Sequence, residues 1–148
     1  MVNLPELGAK LKPNMEPVIA AFQQGLKQGI ILGFECEDCH WHQVAAMAAS
    51  CLRCGGPNLR WKQLSGRGIL RQATVMYRRA RIDSITVRGL VEMDEGGSLV
   101  SALILIPNFD FDQPEKIKDY WGKPVKANIY QLGETRILAF EPNEKGGL

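Results

Sequence analysis

Long hydrophobic runs are absent from this sequence. The longest apolar stretch, residues 99–107, is far shorter than the about 18 residues that a membrane-spanning helix needs. The first residues also lack the basic segment, the apolar segment and the small-residue cleavage site of a secretory signal. We therefore expect a cytoplasmic protein that has no membrane partner.

The usual groups of an enzyme active site are also scarce. Only two histidines are present, and no glycine-rich phosphate loop or Gly-x-Ser-x-Gly elbow stands at a strand-to-helix turn. If the four cysteines bind a metal, no thiol remains to act as a nucleophile. These absences predict a chain that is not catalytic alone.

An excess of charge of one sign is missing as well. Lys and Arg number 18 against 16 Asp and Glu, which gives a net charge of +2. Such a balance does not produce the broad basic field on which non-specific binding to nucleic acids or membranes relies. With 45% hydrophobic and 23% charged residues, the chain has enough apolar material to bury a core. The composition therefore predicts one or two small folded units.

The cysteines form the most informative pattern in the sequence. They stand as two Cys-x-x-Cys pairs, Cys36 with Cys39 and Cys51 with Cys54, separated by eleven residues. Each pair can place two sulfurs at a turn, so that four thiolates surround one tetrahedral ion. Four protein ligands leave no open position, which predicts a structural Zn²⁺ that activates no water. An iron centre on the same thiolates, or disulfides in an oxidising compartment, remain open alternatives.

The segment between the two pairs holds both histidines and an apolar run. His40 and His42 flank Trp41 directly after the first pair. Because four cysteines already complete a ligand set, we expect both histidines beside the metal site or at the surface. Residues 44–49 are apolar, which fits either an interaction surface or a loop packed on the rest of the protein.

Apolar residues recur at helical spacing over residues 16–28. Pro17 suits the first turn of a helix and Gly29 suits its end, so the pattern predicts one amphipathic helix. Its apolar stripe can pack either on the neighbouring ribbon or on a partner protein. The stripe consists of Val18, Ile19, Phe22 and Leu26.

Five strand-like runs follow the turn at residues 65–68. Turn residues at 94–97 join the second and third runs into a hairpin, and those at 131–134 join the fourth and fifth. Residues 112–121 predict a short helix between the third and fourth runs. Three strands, a helical insert and two further strands are the order of an OB-fold barrel. The runs are 69–77, 85–93, 98–106, 124–130 and 135–141.

The predicted fold class is therefore mainly β with an N-terminal helix. A four-cysteine zinc ribbon with rubredoxin-like knuckles precedes a five-stranded OB-fold barrel. The predicted divisions are an arm and helix (1–30), the zinc ribbon (31–64), the OB-fold (65–142) and a tail (143–148).

Zinc ribbons and OB-folds are both used to bind nucleic acids, so this function is a real alternative. The second and third predicted strands contain no aromatic residue, and the stacking platform for bases is therefore missing. The barrel does carry arginines that can contact a phosphate or an acidic partner surface. These are Arg71, Arg78, Arg79, Arg81 and Arg88. Binding of single-stranded nucleic acid stays as the alternative hypothesis.

Five stretches of the sequence are informative together: QGLKQG (24–29), ILGFECEDC (31–39), CLRCGG (51–56), WKQLSGRG (61–68) and GLVEMDEG (89–96). They resemble a family of small proteins that accompany thiolases and related acyl-CoA enzymes. The resemblance covers nearly the whole chain, from the N-terminal helix through the ribbon to the barrel. It departs at residues 45–50, where the family commonly has a proline-rich stretch ending in arginine and this chain reads AAMAAS.

The resemblance implies a non-catalytic subunit that binds a thiolase-like enzyme. The partner would supply the nucleophile and the base, and a coenzyme A thioester would be the shared substrate. Under this hypothesis an arginine cluster of the barrel is a candidate contact for the phosphates of coenzyme A or for the partner: Arg78, Arg79 and Arg81.

Overall fold

One helix and eight strands make up the regular structure of the residues described by the computed structural model, which are 4, 15–45, 50–78 and 81–143. For residues 78 and 81–84 the backbone alone is described. A short 3-10 helix, Pro114–Tyr120, lies between β6 and β7. In chain order the other elements are α1 (Glu16–Lys27), β1 (Ile31–Cys36), β2 (His42–Val44), β3 (Leu59–Leu64), β4 (Arg67–Arg78), β5 (Arg81–Met93), β6 (Val100–Ile104), β7 (Pro124–Leu132) and β8 (Thr135–Pro142).

The apolar stripe of α1 packs on β1. Val18, Phe22 and Leu26 are buried, whereas Ile19 is 46% exposed. Gly25 lies so close to the turn after the helix that an added Cβ would be 3.0 Å from the carbonyl oxygen of Ile30. The first of the two alternatives for this stripe therefore holds, because most of it packs on the ribbon. No helix among the described residues is long and apolar enough to cross a membrane.

Strands β2, β1 and β3 form a small antiparallel sheet with β1 in the centre. Every residue of β1 is buried, although only one face of a small sheet usually is. Phe34 of β1 pairs with Trp61 of β3, and their ring centroids are 4.7 Å apart. A Cβ on Gly33 would lie 2.7 Å from the backbone carbonyl oxygen of Gln43 and 2.7 Å from the Leu64 side chain, so close packing requires glycine at this position.

The other five strands close into a barrel in the order β4-β5-β6-β8-β7. The β6 and β8 strands are parallel, and β4 pairs with β7 to complete the circle. This order is that of an OB-fold, so the predicted barrel is confirmed. The predicted helical insert is a 3-10 helix, in which only Ile117 is buried. The largest fully buried side chains of the barrel unit are Leu70, Val91, Ile104 and Phe140.

The chain forms two units, neither of which is one continuous stretch. The ribbon unit holds the described residues up to Ser65 together with Glu95–Ser98 and Gln131–Ile137. The barrel unit holds Gly66–Asp94, Leu99–Tyr130 and the described residues from Leu138 onwards. Both turns that the sequence predicts for the barrel hairpins thus lie mostly in the ribbon unit. The four predicted divisions stay a prediction.

Two sets of hydrogen bonds hold those turns within the ribbon unit. The backbone N–H of Ser98 donates to the carbonyl oxygen of His42 at 2.9 Å, and the indole N–H of Trp41 donates to the Ser98 hydroxyl at 2.7 Å. The Gln23 side chain of α1 donates to the carbonyl oxygen of Arg136 and accepts from its N–H, both at 3.0 Å. The ribbon unit therefore depends on residues far along the chain.

Candidate metal centre

The four cysteines converge at one end of β1. Their Sγ atoms all lie within 4.8 Å of one another, with 3.6 Å between Cys36 and Cys54 and 3.5 Å between Cys39 and Cys51. Sulfurs at about 2.3 Å from a tetrahedral ion are separated by about 3.8 Å, whereas a disulfide would bring two of them to about 2.05 Å. The four thiols are free and are positioned to bind one metal ion.

The two cysteine turns have the same backbone shape. In the first knuckle, residues 36–40, the N–H of His40 donates to the carbonyl oxygen of Cys36 at 2.9 Å. In the second knuckle, residues 51–55, the N–H of Gly55 donates to the carbonyl oxygen of Cys51 at 2.9 Å. The last residue of each turn has a positive φ, 62° for His40 and 75° for Gly55. Only the second knuckle has the glycine that relieves this conformation.

Backbone N–H groups of the second knuckle point at its sulfurs. Arg53 and Cys54 each donate to the Sγ of Cys51 at 3.4 Å, and Gly56 donates to the Sγ of Cys54 at 3.4 Å. Burial opposes ionisation of Cys51. The N–H groups of Cys54 and Arg53 and the Cys39 thiol outweigh this effect and lower the pKa of Cys51 to about 7. The turn is therefore built to stabilise a thiolate.

The four sulfurs cannot all ionise without a cation. The backbone N–H of Trp41 favours the thiolate of Cys39. Burial and the three neighbouring sulfurs outweigh that effect and raise the pKa of Cys39 to about 12. A bound cation would remove this repulsion and release the protons. Four sulfur donors suit a borderline-soft ion rather than Mg²⁺ or Ca²⁺, which prefer oxygen. The residues therefore fit a thiolate-bound metal.

A carboxylate lies in the strand that leads into the first knuckle. Glu35 is directly opposite His42 on β2 and Arg60 on β3, and its side chain is largely buried. The Nε of Arg60 donates to Glu35 Oε1 at 2.8 Å, and a second guanidinium N–H contacts the same oxygen. This hydrogen bond with Arg60 is the main reason that the pKa of Glu35 is below its ordinary value of 4.5. We did not predict this pair, although a charged residue within the apolar stretch ILGFEC signals it.

Both histidines lie beside the cysteine cluster, and neither belongs to it. The His40 side chain is 75% exposed, with Nδ1 at 3.9 Å from a Glu35 oxygen. His42 is mostly buried, and its Nε2 is 3.6 Å from the same oxygen. That Nε2 has no hydrogen-bond partner among the described residues.

Gln43 connects the second knuckle to the sheet. Its side-chain N–H donates to the carbonyl oxygen of Ser50 at 3.0 Å, and its Oε1 accepts from the N–H of Leu52 at 3.0 Å. The residue is 3% exposed, and we did not predict its role. Of the apolar run 44–49, Val44 and Ala45 are buried, while residues 46–49 lie outside the described part of the chain.

The arginines named in the sequence are not gathered into a described site. Arg71 forms an ion pair with Glu92 on the neighbouring strand. Arg88 lines an open groove of the barrel unit together with Thr74 and Met76, and none of the residues that line this groove is aromatic. The side chains of the remaining three lie outside the described residues: Arg78, Arg79 and Arg81.

Comparison with known proteins identifies the fold. No protein-family model and no curated protein matches this sequence. A chain of the Ltp2-ChsH2(DUF35) aldolase superposes with a TM-score of 0.63, at 19% identity, over 88% of this chain and 98% of that chain. A DUF35 protein of unknown function from Sulfolobus solfataricus superposes with a TM-score of 0.55, at 16% identity, over 91% of this chain and 92% of that one.

The chain has the DUF35 fold. Both similarities extend over 88–91% of this chain and 92–98% of the other chain. The resemblance predicted from the sequence is thus confirmed for the fold. The DUF35 fold of this chain combines a ribbon, whose four cysteines are positioned to bind a metal ion, with a five-stranded barrel.

Proposed function

We propose that this chain is a non-catalytic accessory subunit of a thiolase-family complex that acts on acyl-CoA thioesters. The fold shared with the Ltp2-ChsH2(DUF35) aldolase supports this proposal most directly, because the name of that structure joins a DUF35 protein and a second protein in one enzyme. The family resemblance of the sequence supports the thioester substrate.

The metal in this proposal is Zn²⁺, held by Cys36, Cys39, Cys51 and Cys54. Four thiolates fill the tetrahedral positions, so the ion joins the two knuckles and leaves no site for a substrate or a water. The backbone donors around Cys51 and the pairing of Gln43 with the second knuckle hold the ligands in position. The ion's contribution is to the stability of the ribbon.

The chemistry belongs to the partner. The four thiols are assigned to the metal, and the Nε2 of the mostly buried His42 is 3.6 Å from a carboxylate oxygen of Glu35. In this proposal the partner therefore supplies both the nucleophile and the base for cleavage of a carbon–carbon or thioester bond. The chain would exclude water from the substrate and orient it, while Arg78, Arg79 and Arg81 would contact the phosphates of coenzyme A or the partner.

The most specific form of the proposal is the small subunit of a benzoylsuccinyl-CoA thiolase in anaerobic toluene degradation. It follows from the family resemblance, and it names an aromatic acyl group as the substrate. A thiolase partner that cleaves only short aliphatic thioesters would exclude this form and leave the broader proposal intact.

Affinity purification of the tagged chain from its native host tests the broader proposal. We expect an acyl-CoA enzyme to co-purify, and thioester turnover to need both proteins. Recovery of the chain as a monomer without such an enzyme would contradict it, and so would turnover by the purified chain alone. Titration with labelled single-stranded oligonucleotides at increasing salt tests the nucleic-acid alternative, since phosphate-driven binding weakens steeply with salt.

Replacing the three arginines by alanine tests their part in the proposal. We expect the Arg78→Ala, Arg79→Ala, Arg81→Ala variant to raise KM for the thioester or to weaken binding of the partner. Arg71→Ala is the matched control, because Arg71 is on the same barrel but already pairs with Glu92. An effect of Arg71→Ala as large as that of the triple variant, although it removes one charge instead of three, would contradict a specific role of the three arginines.

A further inference from the structure

An apolar pocket opens in the barrel unit where β6 ends. Its volume is about 470 Å³, within the range of about 300–1,000 Å³ that small-molecule sites occupy. Phe109 and Phe111 form one wall, with ring centroids 5.1 Å apart in an edge-to-face arrangement. Ile85 of β5 and Tyr130 of β7 also line the pocket. Phe111 is 39% and Ile85 36% exposed, so both leave apolar surface for a ligand to cover.

The polar edge of the pocket is already internally paired. The Tyr130 hydroxyl donates to Glu141 Oε2 at 3.2 Å, and the Asn128 side chain donates to Glu141 Oε1. Partial burial and the Glu141 carboxylate raise the pKa of Tyr130, which keeps the hydroxyl protonated as a donor. Both carboxylate oxygens and the phenolic proton are therefore engaged, and the carboxylate repels any anion that enters.

We propose that this pocket binds an uncharged aromatic group of a small molecule. The apolar walls provide the contact area, and the Phe109 and Phe111 pair offers the ring geometry that a third aromatic ring can extend. Glu141 makes the site selective, because an anion would lose its hydration beside a negative charge, and the described residues of the pocket lining include no cation. The pocket thus accepts neutral rings and rejects carboxylates of the same shape.

A second groove adjoins the apolar pocket and is lined by more polar residues. The two share Ile106, Pro107 and Glu141, and the second, of about 520 Å³, adds Asn108 and Lys126. A ligand whose aromatic end lies in the apolar pocket would therefore carry its polar part toward Lys126. That this ligand is an acyl-CoA, with the ring at the distal end of its acyl group, rests on the proposed function.

A matched pair of ligands tests the pocket without assuming a thioester. Phenylacetamide and phenylacetate have the same shape and differ in charge, and each is titrated into the ¹⁵N-labelled full chain. We expect millimolar binding of the amide, with shifts at Phe109, Phe111 and Tyr130, and binding of phenylacetate weaker by about tenfold. Equal binding of the two, or shifts elsewhere on the barrel, would overturn the proposal.

Two variants and a control locate the effect. Phe111→Ala removes a partly exposed wall and is expected to weaken phenylacetamide binding by about tenfold. Glu141→Gln removes the charge and is expected to bring phenylacetate close to phenylacetamide in affinity. Met76→Ala, which truncates an exposed side chain outside the pocket, is expected to change neither. Unchanged ligand selectivity in Glu141→Gln overturns the proposal even if Phe111→Ala proves unfolded.

The pocket and the proposed function can fail separately. Discrimination between the two ligands, with no acyl-CoA enzyme in the affinity purification, would keep the pocket and remove the thiolase role. Co-purification of such an enzyme with a chain that does not discriminate would do the reverse. If both hold, benzoyl-CoA is expected to bind the full chain more tightly than acetyl-CoA by about tenfold.

Discussion

The ribbon unit and the barrel unit are stabilised in different ways. The ribbon has three short strands, a largely buried Glu35 and four thiols that repel one another when they ionise. Four of the five barrel strands are longer than any ribbon strand, and the barrel core contains fully buried side chains such as Leu70 and Phe140. The fold of the ribbon should therefore depend on its metal, whereas burial of apolar surface should suffice for the barrel.

Loss of a metal ligand is the largest expected effect. Cys51→Ser should remove zinc binding, which is worth on the order of 10 kcal/mol in comparable sites, and should unfold the ribbon. The indole N–H signals of the three tryptophans report the folding of each unit separately in NMR spectra. Trp41 and Trp61 lie in the ribbon unit, and Trp121 lies in the barrel unit. We expect the first two indole signals to lose their folded positions and the third to persist.

Leu52→Ala is the control for that experiment, since Leu52 is an exposed side chain in the same knuckle. It should leave the metal content at one ion per chain. A metal-free Cys51→Ser protein with all three indole signals unchanged would contradict the metal dependence of the ribbon, because the ribbon would then fold without its ion.

Truncation of the barrel core comes second. Phe140→Ala should lower the free energy of unfolding of the barrel by about 3–5 kcal/mol, since Phe140 is fully buried. Denaturation followed at Trp121 measures the change, and Met76→Ala should stay within about 0.5 kcal/mol of the wild type. The zinc content should not change. Loss of zinc in Phe140→Ala would show that the two units unfold together.

Two neighbouring glycines give a smaller, paired prediction for the ribbon unit. Gly96 and Gly97 have φ values of 82° and 85°, so alanine is strained at either position. A Cβ on Gly97 would also overlap the backbone of His42, whereas one on Gly96 would meet nothing within 4 Å. Gly97→Ala should therefore destabilise the unit by about 1–3 kcal/mol more than Gly96→Ala, measured by denaturation at Trp41. Equal losses would mean that the turn shifts freely.

The smallest expected effect compares the two knuckles. His40→Gly should be neutral or should stabilise the ribbon by up to about 1 kcal/mol, because glycine adopts the positive φ of this position without strain. Gly55→His should have the opposite sign. Chelator titration of zinc from each variant measures the difference. A loss of stability in His40→Gly would assign the His40 side chain a role that its exposure does not indicate.

Much of the fold could be predicted because its signals are local. The paired Cys-x-x-Cys motifs predict the cysteine cluster, the periodicity at 16–28 predicts α1, and the turn residues between alternating runs predict the five barrel strands. The predicted third strand, 98–106, ends at Ile104 in the structure, and it begins only at Val100 because the turn residues up to Ser98 hydrogen-bond within the ribbon unit. Local patterns do not record such contacts.

What the sequence did not predict depends on pairing across the chain. Strand β2 has three residues, too few for a periodic pattern, and it forms because β1 offers a partner for it. The roles of Glu35 and Gln43 follow from that pairing, which places Arg60 and the second knuckle beside them. His40 shows the same limit, because the turn requires a positive φ at a residue that is not glycine.

The ribbon unit is assembled from three separate stretches of the gene. Trp41 finds its hydroxyl partner at Ser98, and Gln23 binds the backbone of Arg136, so a single cut after Ser65 would remove both partners. Neither module could be transplanted by exchanging one contiguous segment. A recombination event that transfers a complete ribbon unit must also transfer the two hairpin turns of the barrel. The two modules are therefore expected to be inherited together.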